Sequence, residues 1–201
     1  MPPLLGMSAQ SQPSPRPFDE RLLQVGEHEL LRPVYTLPLH EAKLAEALEK
    51  LGIPHYLPVK KAWSVFHRRY KDKEYRYTRE YFRPLFPSYL FVKVTEAERY
   101  AVLSHPSAIR ILPVSNTNAF IADLKLVRQL EQIAQHQELE FHSTLKEGDR
   151  FLIECGPWQG VYGWLRKRDK RFLWQVEIQC LNGVVQAYLD PSQYKMTRVE
   201  S

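Results

Sequence analysis

The sequence predicts an α+β protein in two parts, a mixed helix–strand region followed by a small all-β region, and three observations carry that expectation. Residues 40–52 and 123–137 repeat large apolar side chains at helical spacing: Leu44, Leu48 and Leu51 in the first, Leu126, Leu130 and Ile133 in the second. Between them, Tyr89, Phe91 and Lys93 alternate with Leu90, Val92 and Val94, which is the period of a strand with one aliphatic and one aromatic, partly polar face. After residue 144 the apolar period becomes two and stays two, as short strands with turn residues between them require.

Taken in order, residues 1–29 are rich in Pro, Ser and Gln and read as a flexible tail, because such a composition buries too little surface to offset the entropy of ordering. Val34 to Leu37 reads as a strand and 40–52 as a helix, with Glu46 and Lys50 as an i,i+4 pair and Gly52 as its stop. Ile53 to Val59 returns as a second strand. Lys60 to Arg83 holds nine Lys or Arg against three acidic residues, with Lys71 to Lys73 as the tip of a β-hairpin. Pro84 and Pro87 then fix φ and bias their predecessors toward extended geometry, setting Phe86 at the mouth of the 89–94 strand. Thr95 with Glu98 is a capping-box signature for a short helix ending before Pro106, Ala108 to Pro113 reads as a strand, and 123–137 as the last helix.

Polar residues without apolar periodicity place an interdomain linker at 138–144. Beyond it, Phe151 to Glu154, Val161 to Arg166, Phe172 to Gln179 and Val184 to Leu189 are candidate strands, and Asn182-Gly183 is a tight-turn signal. Strands this short and this close suggest a small SH3-like β-barrel. The resulting organisation is a tail over 1–29, a first domain over 30–137, a linker over 138–144 and a second domain over 145–201. Folding of the second domain as helices instead would have to absorb Gly148, Gly156, Pro157, Gly160, Gly163 and Asn182-Gly183, at about 1 kcal/mol per interior Gly and about 3 for Pro, so a barrel is expected in isolation and in the full chain.

With 201 residues, a net charge of +5 and 44% hydrophobic residues, the chain is long enough for two small cores and only mildly basic, which permits a nucleic-acid partner without demanding one. Two cysteines, Cys155 and Cys180, are too few for a disulfide scaffold and lack metal-ligand spacing, so they read as free thiols in a reducing compartment. No secretory leader or membrane span is legible, and the expected location is cytoplasmic. An enzyme is not expected: the histidines are scattered without H-E-x-x-H spacing, no G-x-S-x-G elbow is present, and neither a phosphate-binding loop nor a dinucleotide fingerprint occurs. No catalytic residue, metal site or cofactor is predicted.

Two stretches point to binding. The 60–83 segment interleaves its charges with Trp63, Phe66, Tyr70, Tyr75, Tyr77, Tyr81 and Phe82, a pattern that suits stacking on bases and attraction to phosphate as well as a solvated charged hairpin. In Gly156-Pro157-Trp158-Gln159-Gly160, the glycines allow positive φ and Pro157 sets the corner, while Gly163 permits close backbone approach. Trp158 is either a partner contact or a lid on the barrel end.

Arg83 to Val94, RPLFPSYLFVKV, resembles the central strand of the N-terminal domain of NusG-type transcription elongation factors, most nearly the specialised RfaH and UpxY type. Gly148 to Tyr188 resembles the KOW domain that follows in that family, with Gly156, Pro157, Trp158, Gly160 and Gly163 on its Gly-containing turn. The resemblance implies a four-stranded antiparallel sheet flanked by helices, whose aromatic patch binds the β′ clamp helices of RNA polymerase and so suppresses pausing or termination. It places Phe86, Tyr89 and Tyr35 on that patch, and His40 and Glu41 at the start of the first helix. Upstream-fork or non-template DNA would lie against Arg68, Arg69, Lys71 and Lys73. Rho or a small-subunit ribosomal protein would be the partner of the KOW domain, and the factor would act as a monomer. Val34 stands where the family carries Trp, and Ser88 where Gly or Asn is common. The alternative is a ribosome-associated or other RNA-binding KOW protein that does not bind polymerase.

Overall fold

The computed structural model describes residues 13–70, 73–142 and 148–199, with the backbone alone at 68–70 and 73. The N-terminal half runs β1 (Glu29–Thr36), α1 (Glu41–Lys50), β2 (His55–Tyr56), β3 (Val59–Tyr70), β4 (Lys73–Pro84), β5 (Tyr89–Thr95), α2 (Glu96–Ser104), β6 (Ala108–Ile111) and α3 (Thr117–Ile133). The C-terminal half is β7 (Glu140–His142), β8 (Asp149–Ile153), β9 (Tyr162–Arg168), β10 (Arg171–Ile178), β11 (Gly183–Leu189) and β12 (Met196–Arg198). The fold is α+β, as predicted. A four-stranded antiparallel sheet in the order β2-β5-β1-β6 is followed by a six-stranded antiparallel sheet in the order β12-β8-β9-β10-β11-β7, consistent with a KOW or SH3-like domain. Among the described residues, β3 and β4 pair only with each other, as a ribbon.

The alternation in β5 decides how the first sheet packs. Leu90, Val92 and Val94 face α1 and join Val34, Leu44, Leu48, Ile53 and Val102 in one buried cluster. Phe91, on the opposite face, is buried with Phe86, Tyr56, Phe120 and Leu124 in a second cluster. α2 begins with the expected capping box: Thr95 Oγ1 accepts from the Glu98 N–H, and Glu98 Oε2 accepts from the Thr95 N–H at 2.7 Å.

Several expectations are corrected. α3 starts at Thr117, because Asn116 Oδ1 accepts from the Ala119 N–H and caps an extra turn. Its buried stripe is Phe120, Leu124, Val127, Leu130 and Ile133, with Leu126 only partly covered. The strand expected over 53–59 shrinks to β2, since Pro54 and Pro58 have no N–H to give a ladder. Residues 16–23 do not behave as a flexible tail: Asp19 caps a single 3-10 turn over Glu20–Leu23, Leu22 has no exposed surface, and the Phe18 ring meets Tyr56 edge-on at 4.9 Å.

The stretch placed as a linker carries structure as well. Leu139 is fully buried and β7 pairs with β11 at the edge of the C-terminal sheet, while 143–147 lie outside the described residues. Gly183 makes this pairing possible, because a Cβ there would sit 2.5 Å from the Phe141 ring and 2.9 Å from the His142 carbonyl oxygen. The tight turn expected at Asn182-Gly183 is longer than a two-residue hairpin: a 3-10 turn over Gln179–Leu181 precedes Asn182, which takes the left-handed φ of +48°.

Candidate interaction surfaces

The turn between β4 and β5 is built by its prolines and one buried carboxylate. The Leu85 N–H donates to the Pro58 carbonyl at 2.8 Å, and the chain turns through Pro87 to Ser88, whose φ is +66°. A side chain in that region costs roughly 1 kcal/mol, and here the conformation is held by three bonds. The Ser88 N–H donates to Glu41 Oε1 at 2.6 Å, the Ser88 carbonyl accepts from the Thr36 N–H at 2.9 Å, and the Tyr89 N–H donates to the Phe86 carbonyl at 3.1 Å. Glu41 is itself buried in the first turn of α1, where a carboxylate also suits the helix dipole. The residue that opens α1 thus fixes the turn that presents the aromatic strand.

The three predicted patch residues come together. Tyr35 and Tyr89 are register partners on β1 and β5 with ring centroids 5.3 Å apart, and the Arg110 guanidinium lies 5.5 Å from the Tyr35 ring. Phe86 stands beside them but has no exposed surface. Its ring packs edge-on against Phe91 at 6.2 Å and against Phe141 of β7 at 5.1 Å, and Phe141 also meets Tyr89 at 6.2 Å. Burial beneath this cover raises the Tyr89 phenol above its ordinary pKa. Phe86 was expected to project from the surface; instead β7 lies over it. Phe141 was not legible as part of the site, since a lone Phe in a polar stretch carries no periodic signal.

Further bonds tie α3 to the C-terminal sheet. Trp158 is fully buried, and its indole Nε1–H donates to Gln137 Oε1 at 3.0 Å, so it anchors the Gly-containing loop against the end of α3. Gln129 Nε2 donates to the carbonyls of Pro157 and Gln159, both at 3.1 Å. Gly156 and Gly160 have φ of +80° and +78°, and a Cβ on Gly163 would lie 2.6 Å from the Gln175 carbonyl oxygen and from the Trp174 ring, so all three glycines are required by the backbone.

Asp123 Oδ2 accepts from the Cys180 N–H at 2.7 Å, and burial raises both the Asp123 carboxyl and the Cys180 thiol above their ordinary values. A raised carboxyl pKa in the folded state gives a contribution to stability that is complete below the unfolded value and is lost as pH rises through the folded one. Asp123→Asn keeps an acceptor for Cys180 but has no proton to lose. As pH rises through and above the ordinary carboxylate range, wild type should therefore lose stability relative to Asp123→Asn, as chemical denaturation at a series of pH values will show. Parallel profiles would remove Asp123 from the pH dependence.

The ribbon of β3 and β4 carries the basic segment away from the body. Val59, Lys60 and Ala62 are buried at its base, where the Lys60 ammonium donates to the Leu139 carbonyl and burial lowers its pKa. Farther out, Trp63, Val65, Phe66, Tyr75 and Tyr77 are exposed. Of the four cations predicted to meet nucleic acid, Arg68, Arg69 and Lys73 occupy ribbon positions described by backbone alone, and Lys71 lies outside the described residues.

Among the described residues, no helix is long and apolar enough to cross a membrane. A comparison with curated proteins finds no match. Residues 32–131 match the model of the NusG family, described as transcription termination factor nusG, whose members are transcription factors that bind RNA polymerase. The matched span begins inside β1 and ends in α3, taking in the rest of the four-stranded sheet, the aromatic strand and the ribbon. Residues 32–131 therefore carry a NusG-family domain, which supports a factor of transcription elongation or termination.

Proposed function

We propose that the protein is an elongation and antitermination factor that docks on the β′ clamp helices of RNA polymerase through Tyr35, Phe86 and Tyr89 and suppresses pausing or termination. The observation that carries this reading is the convergence of those three rings at one end of the sheet of a NusG-family domain. Arg68, Arg69 and Lys73 of the ribbon, together with Lys71, supply salt-sensitive contact with DNA at the upstream fork. The C-terminal sheet is the KOW domain and offers a second surface, to Rho or a small-subunit ribosomal protein. Docking acts as a population shift: it disfavours paused states only to the extent that the factor binds the active state more tightly.

Because Phe141 lies over Phe86 and Tyr89, the docking-competent form is one in which β7 has moved aside. An affinity measured on the whole chain is then reduced by the fraction of molecules in that form. Phe141→Ala, which removes the covering ring, is expected to raise capture of core RNA polymerase by about tenfold, and an excess of free clamp-helix fragment should abolish capture by wild type and variant alike. Failure of both proteins to capture polymerase would overturn the function; capture insensitive to the fragment would overturn the docking site.

A further inference from the structure

The strand register gives the ribbon two chemically different faces. Directly paired residues of an antiparallel ribbon point to the same side, and successive residues alternate. The pairs Lys60–Arg83, Ala62–Tyr81, Ser64–Arg79 and Phe66–Tyr77, followed by Tyr75, therefore form one row, and Lys61–Phe82, Trp63–Glu80, Val65–Thr78 and His67–Arg76, followed by Glu74, form the other. The second face carries both signs in equal number, Lys61 and Arg76 against Glu80 and Glu74, with Lys61 3.4 Å from Glu80 and His67 3.4 Å from Glu74. Every charged side chain described on the first face is a cation.

That cationic row is also aromatic. The rings of Phe66 and Tyr77 stack in parallel, 5.3 Å between centroids and 15° between planes. Exposure is 41% at Phe66, 51% at Tyr77 and 49% at Tyr75, so these are large apolar surfaces left to water. A two-stranded ribbon is at best marginally stable alone, and nothing else in the described residues pairs with either strand. Exposed rings interleaved with Arg79 and Arg83 complement an anionic chain whose bases are free to stack, which a duplex does not offer. Ser64, Tyr75, Tyr77 and Tyr81 add four hydroxyl groups along the same row, each able to donate to and accept from a ribose 2′-hydroxyl.

We infer that this row, from Arg83 through Tyr81, Arg79 and Tyr77 with Phe66 to Tyr75, is a binding platform for single-stranded RNA. Bases stack on Phe66, Tyr75 and Tyr77, Arg79 and Arg83 hold the phosphates, and the hydroxyl row favours ribose over deoxyribose. The platform goes beyond the docking reading, which uses the other end of the domain and the cations Arg68, Arg69, Lys71 and Lys73.

The test needs no polymerase, so its failure and that of the docking reading are separate results. Fluorescence anisotropy on the full chain would compare labelled oligouridine, oligodeoxyuridine and an RNA duplex. Oligouridine is expected to bind most tightly, and Phe66→Ala with Tyr77→Ala to weaken it by about tenfold or more. Trp63→Ala, on the charge-balanced face, should leave binding unchanged, and Tyr77→Phe should keep most of it because the ring remains. An equal loss from Trp63→Ala, equal or tighter binding of the duplex or of the deoxy strand, or wild-type affinity in the Phe66/Tyr77 double variant would overturn the proposal.

Discussion

Phe86→Ala is expected to destabilise the fold by about 3–5 kcal/mol, the range for removing a fully buried aromatic ring. The ring has no solvent exposure and lies between Phe91 of the first sheet and Phe141 of the second, so its loss opens a cavity that both sheets line. Polymerase binding by this variant consequently reports folding as much as contact. Tyr89→Ala separates the two: its ring is only partly covered, so stability should fall less than in Phe86→Ala while any docking contact is removed. Urea denaturation of the two variants checks this, and a Phe86→Ala midpoint equal to wild type would show that Phe86 is not held in the core.

Trp158→Ala should have an effect of the same size, about 3–5 kcal/mol, with its origin at the junction of α3 and the C-terminal sheet. The truncation forfeits a fully buried indole, leaves a cavity beside the Gly-containing loop and strands the Gln137 Oε1 that Nε1 had satisfied. Trp158→Phe retains most of the apolar volume and loses the hydrogen bond, for which about 1–2 kcal/mol is the expected cost. The ordering of the two variants is the informative result. If phenylalanine were as damaging as alanine, the bond to Gln137 would dominate; a wild-type midpoint in both would return Trp158 to the surface.

What the sequence disclosed and what it hid divide along the distance between interacting residues. β5 was legible because alternation is local, α2 because Thr95 and Glu98 are three residues apart, and β8 to β11 because each is bounded by its own turn residues, whereas the three-residue strands β7 and β12 were not. The patch is the exception: Tyr35 and Tyr89 are far apart in the chain and were placed on one face through the family likeness, and the register puts them opposite each other. Nothing local announces that Phe141 comes to rest on Phe86 or that Glu41 bonds to Ser88. Leu22 was lost for a different reason, because one decisive apolar residue disappears in the average of a Pro-rich stretch, yet a single buried leucine with an Asp cap is enough to tie that stretch down. The early start of α3 was within reach, since Asn116 three residues before Ala119 is a cap signal in its own right.

Among the described residues the ribbon of β3 and β4 has two open margins, because each strand pairs with another on one side only. Open margins are templates on which a second chain can add a strand, and aromatic side chains beside them make such growth more favourable. The segment 60–83 carries a net charge of +6, whereas the rest of the chain is close to neutral. When two ribbons approach edge to edge, those charges meet charges of the same sign at strand spacing, and the repulsion falls away only as added salt shortens the screening length. The arginines and lysines thus serve the lone molecule too, keeping the chain dispersed at the concentrations and ionic strengths where its rings alone would draw copies together.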